Sequence, residues 1–313
     1  MSELNEQELE TAARTSYAYW WYVTQPGRNN NDDHDKNNND DLNMLRFQAA
    51  QKEARRHYVG RARDYDHALT SLRRAIALRQ EYHVDLLRWM GVPADERPPL
   101  DASETERLGR YRSYVADEMA KQPTAVVGVD ELQRAIILKG TRNNSETDLE
   151  GYLIMQIYVA ERAMALTEVA SVGRQERVFC VFDFAGYVSA HAPPVLELRG
   201  ALTDLQSMYK ERLHKLIILD PPFLIRALFN IVAPFLDKVT RAKVDMALGI
   251  DGRHSLVNAS PARQQALAQL LENATGELGY QVSLDTFLHG TSFHEHYDLG
   301  SSSAPRSVTV ASS

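Results

Sequence analysis

Four short runs rich in β-branched residues follow Pro123: AVVGV (125–129), AIILKG (135–140), RVFCVFDF (177–184) and KLIILD (215–220). They read as buried strands, because such residues fit the pleated interior of a sheet. Longer helical patterns lie between them. In one, Leu153, Ile157, Ala160 and Met164 recur at three-to-four spacing as an apolar stripe. Strands alternating with helices over 124–290 predict an α/β domain with a mixed, mainly parallel sheet.

The part before Pro123 is helical in pattern. Residues 1–22 read as a short helix ending in a crowd of aromatic rings at Tyr17, Tyr19, Trp20, Trp21 and Tyr22, which is expected to pack on the main body. The polar run NNNDDHDKNNNDD (29–41) reads as a disordered loop. It fails as a calcium loop, because Asn38 stands at the turn glycine and Met44 at the closing glutamate. From Asn43 to Met90, Leu69, Leu72 and Ile76 keep helical spacing, with Asp66 placed to cap. GVPADERPP (91–99) is a linker, a polar helix follows over 103–120, and 260–279 reads as another helix with Ser260 as its cap. The expected organisation is an N-terminal helix and loop (1–42), a helical subdomain (43–98), an α/β domain (99–299) and a disordered tail (300–313).

Composition narrows the function classes. The 313 residues carry a formal charge of −7, against nucleic-acid binding. That total hides an uneven distribution. Residues 29–41 hold five Asp and one Lys, whereas 210–243 hold seven Lys/Arg and three Asp/Glu, a sign that attracts an anionic leaflet at short range. The single cysteine, Cys180, allows no intrachain disulfide and points to a reducing compartment. The acidic start lacks a signal or transit pattern and no segment spans a bilayer, so a cytoplasmic location with transient membrane contact is expected. PPFLIRALFNIVAPFL (221–236) is too apolar for a helix exposed on one side. Alone, it reads as a core helix bearing Phe223, Leu228, Ile231 and Phe235.

Five pieces then occur in order: RARDYDHALTSLRRAIALRQEY (61–82), FDFAGY (182–187), YKERL (209–213), KLIILDPPF (215–223) and APFLDKVTRAKV (233–244). Together they resemble the CRAL-TRIO lipid-binding domain family, the fold of phosphatidylinositol/phosphatidylcholine transfer proteins. The departures are Lys210 for the usual proline, Asp220–Pro221 for Asn–Ala, Leu78 for a tryptophan, Asp64 for a lysine, and FLHG (287–290) for the closing motif.

The resemblance implies an N-terminal helical bundle bracing a sheet that floors an apolar lipid pocket. The 221–236 helix becomes its movable gate, so that Phe223, Leu228, Ile231 and Phe235 line the pocket with Val178, Cys180 and Phe182 of the strand before Asp183. It assigns a phosphatidylinositol headgroup to Arg63, Glu211, Thr240 and Lys243. Relatives that also take phosphatidylcholine carry hydroxyls on that strand. Val178, Cys180 and Phe182 offer none, so a second, more apolar lipid is expected. The implied protein is a monomeric lipid-transfer protein with bound phospholipid and no other cofactor. The alternative is a scaffold for small-GTPase regulators. Cys180 reads as a small hydrophobe, and His289, His294 and His296 form no complete metal set. No G-x-S-x-G, P-loop or G-x-G-x-x-G occurs, so no enzymatic activity is expected.

Overall fold

A computed structural model describes residues 3–24, 36–92, 95, 97–121, 124–130, 132–140, 148–184, 187–188, 191, 195–219, 221–232 and 241–247. The expected helix at 260–279, the tail, the FLHG segment and the three C-terminal histidines lie outside these residues, as do Thr240 and Phe235.

The N-terminal region is a layer of helices: α1 (Glu6–Ala13), α2 (Tyr17–Thr24), α3 (Lys36–Gly60), α4 (Tyr65–Glu81) and α5 (Val84–Arg88). The single helix expected over 1–22 is thus two. Asn5 closes a capping box with Glu8 at the start of α1. Residues 36–41, read from composition as loop, form the first turns of α3. The cap of α4 is Asp64, not Asp66: the Asp64 carboxylate accepts a hydrogen bond from the His67 backbone N–H at 3.0 Å. Asp66 lies inside the first turn, where its side chain is no longer at the cap. Asp64→Ala is therefore expected to lower the thermal midpoint, while Asp66→Ala leaves it nearly unchanged. Paired melting curves check this.

The aromatic crowd packs inward. Trp20 is fully buried, its ring centroid 4.6 Å from that of Trp89, with the Arg88 guanidinium 5.1 Å from the Trp20 ring centroid.

After α6 (Ala102–Lys121) come β1 (Thr124–Val129), β2 (Ala135–Gly140), α7 (Leu149–Ala170), β3 (Val178–Asp183), α8 (Val195–Met208), β4 (Leu213–Leu219), α9 (Phe223–Val232) and β5 (Val244–Ala247). The five strands among the described residues lie in sequence order. β1 pairs antiparallel with β2, and every later pairing is parallel. This is the expected mixed, mainly parallel sheet preceded by helices, with β5 as a strand that the composition did not announce.

Helix α7 is the centre of the core. Leu153, Ile154, Met155, Ile157, Tyr158 and Val159 are all buried, so the apolar stripe is wider than its spacing suggests. The cause is cover on two sides: the sheet on one, α2, α5 and α6 on the other.

One buried carboxylate ties the two layers. Glu161 of α7 meets Arg79 of α4 at 2.8 Å and Arg88 of α5 at 2.6 Å, and accepts a hydrogen bond from the Tyr209 hydroxyl at 3.0 Å. Burial alone would raise its pKa. The two guanidiniums outweigh burial and hold it at about 2.

Candidate functional site

Because β3, β4 and β5 run parallel, the residues just before them share one edge of the sheet. Arg177 precedes β3, Glu211 lies in the turn before β4, and Lys243 precedes β5. The three converge there. Glu211 Oε2 lies 3.0 Å from Lys243 Nζ and 3.4 Å from Arg177 Nη2. The Glu211 side chain is 6% exposed and that of Lys243 12%, whereas Arg177 is 46% exposed and faces solvent. Glu211 sits at φ +58°, a left-handed conformation that a non-glycine residue adopts at some cost, consistent with a turn held by its surroundings.

Helix α3 packs against the turn that carries Glu211. Its last residue, Gly60, lies against the Lys210 side chain, with no room for a Cβ: one would sit 2.4 Å from Lys210 Cε. A buried ion network secures the contact. Glu53 pairs with Arg56 and lies 3.4 Å from Arg212, and Arg56 reaches Glu176 at 3.0 Å. Burial, with Arg56 nearby, depresses the Arg212 pKa to about 10. The turn after α3, with Ala62 and Arg63 at positive φ, thus borders the Lys210–Arg212 turn. Arg63 itself is exposed.

Around Glu211 the edge therefore offers Lys243 and Arg177, suited to a phosphodiester carrying hydroxyls. The CRAL/TRIO domain family profile matches residues 103–258. The chain carries a CRAL/TRIO domain. A curated relative, "Phosphatidylinositol transfer protein PDR17" of Saccharomyces cerevisiae, is 31% identical over 135 residues, covering 41% of this chain and 37% of its own length. The crystal structure of Sfh5 is similar with a TM-score of 0.42 and 11% identity, over 63% of this chain and 64% of that one. The chain thus spans less than two thirds of either.

Within the CRAL/TRIO domain, the expected site residues fall into separate groups. Glu211 and Lys243 are brought into contact; Thr240 lies outside the described residues. Arg177 was not singled out by sequence: it opens the predicted strand run 177–184, and only the structure starts β3 after it, at Val178. Val178 and Cys180 are buried in the cluster that contains α7, and Phe182 packs against that cluster. Burial pushes the Cys180 thiol up to about 12, so it stays protonated and apolar in behaviour. In α9, Phe223 is 77% exposed and shares an outward stripe with exposed Arg226 and Asn230. The structure puts Phe223 on that outer face, not among the buried side chains. It is the first residue of the helix, and three-to-four spacing aligns it with the polar pair. The side chains of Leu228 and Ile231 lie outside the described set. Among the described residues no group of three or more His, Cys, Asp or Glu could hold a metal ion, and no helix is long and apolar enough to cross a membrane.

Proposed function

We propose that this chain binds phosphatidylinositol and exchanges it, together with a second and more apolar lipid, between membranes without a covalent step. The observation that carries the reading is the convergence of Glu211, Lys243 and Arg177 at the amino ends of three parallel strands. The name of the PDR17 relative supports it. Lys243 and Arg177 supply the charge for the phosphodiester, and Glu211 both orients them and accepts hydrogen bonds from inositol hydroxyls. The motif resemblance adds Arg63, in the turn after α3, and Thr240 to the set. Selectivity comes from differences in binding free energy between lipids.

Helix α9 is the moving part of this reading. Its outward Phe223 enters the headgroup region of a bilayer while Arg226 remains at the phosphates. Phe223→Asp should therefore slow vesicle-to-vesicle transfer of phosphatidylinositol several-fold while leaving the amount bound per chain unchanged. Equal transfer rates for the two proteins would remove α9 from the mechanism. The scaffold alternative draws less support, because the rings of Tyr19 and Trp20 are spent in internal packing.

A further inference from the structure

Lys139 is a cation inside the core. It is 3% exposed, on β2, and alternation along the strand puts it on the same face as Ala135 and Ile137 of the α7 cluster. Its ammonium lies 4.5 Å from the ring centroid of Tyr152 and 5.5 Å from that of Phe182, and donates to the Tyr152 hydroxyl at 3.4 Å. Among the described residues no carboxylate makes ion-pair contact with it. The acidic group whose field reaches it, Glu118 of α6, is already paired with Lys121 at 2.7 Å. Among the described residues the cluster therefore holds two amines and one carboxylate, which already pairs with Lys121. Burial, only partly opposed by Glu118, drives the Lys139 pKa down to about 7, so an anion brought beside it would favour its charged form.

Lys139 and Phe182 are register partners near the carboxyl ends of β2 and β3. The Glu211–Lys243 pair lies at the opposite, amino ends, about 20 Å away for strands of this length.

We propose that Lys139 sets the head charge of the second lipid: the site accepts a long-chain lipid ending in a carboxylate and excludes a choline head. This rests on the lipid-binding reading above. A carboxylate supplies such an anion and accepts hydrogen bonds from both Lys139 and Tyr152. A choline head needs aromatic faces of the kind the Lys139 ammonium already occupies, and meets a like charge there.

The test incubates the full chain with vesicles containing phosphatidylcholine, phosphatidylinositol and palmitic acid, re-isolates it, and identifies extracted lipids by mass spectrometry. The unsubstituted protein should retain phosphatidylinositol and palmitate, with phosphatidylcholine less than a tenth of either. Lys139→Met, close in shape, should lose palmitate at least tenfold and keep phosphatidylinositol; Tyr152→Phe should lose palmitate several-fold. Palmitate unchanged in Lys139→Met would overturn the proposal. So would an unsubstituted protein that takes phosphatidylinositol but no palmitate. A protein that takes neither lipid overturns the proposal together with the reading beneath it.

Discussion

Glu161→Gln is expected to lower the free energy of unfolding by about 3–5 kcal/mol, the usual cost of breaking a buried ion cluster from one side. Glutamine keeps the shape but leaves Arg79 and Arg88 as buried cations without a counter-charge. Arg79 Nη2 already lacks a hydrogen-bond partner, so it has no spare contact to fall back on. Arg88 also donates to the backbone oxygens of Arg14 and Thr15, so the loss reaches α1 and α2 as well. The effect should depend on pH in one direction. The Glu161 pKa is about 2 in the folded chain, below its ordinary value, so its contribution is present in full above ~5 and is lost as pH falls toward 2. Urea unfolding of both proteins at pH 7 and at lower pH measures the gap. A difference under about 1 kcal/mol at pH 7 would mean that the cluster does not hold the helical layer to the sheet domain.

Lys243→Ala should reduce phosphatidylinositol transfer roughly 10- to 100-fold, since a charge-assisted contact to phosphate is worth about 1.5–3 kcal/mol. The protein should remain folded, because Glu211 keeps Arg177 at 3.4 Å and stands beside solvent-facing groups. Lys243→Arg should restore part of the activity by replacing the charge. Transfer between donor and acceptor vesicles gives the rate, and a melting curve excludes loss of structure. Intact transfer by a folded Lys243→Ala protein would place the headgroup elsewhere.

The sequence made the sheet legible where strands are apolar runs: AIILKG is buried along its whole length, and KLIILD, only partly buried at Leu216 and Ile217, still carries four consecutive aliphatic residues. It failed at β5, whose four residues VDMA carry a charge and too little length to show a period. The cap of α4 was misread by two positions because Asp64 and Asp66 are chemically alike and only the backbone at Asp64, extended before the helix, distinguishes them. The Glu161 cluster joins residues 73 and 82 positions apart, beyond any local pattern. Lys139 was passed over because it ends an apolar run, where a lysine ordinarily reaches solvent. The neighbouring rings of Tyr152 and Phe182 arrive from α7 and β3, and only the folded chain shows them around it. The headgroup edge was half legible. Glu211 and Lys243 stood out through the motif resemblance, whereas Arg177 became visible only once the parallel order of β3, β4 and β5 was known.

The most direct measurement is the lipid that the chain holds. Purified protein extracted with organic solvent and analysed by mass spectrometry should release phosphatidylinositol at close to one molecule per chain, and much less from Lys243→Ala. An extract with no stoichiometric lipid, or one in which phosphatidylcholine exceeds phosphatidylinositol, would contradict the account.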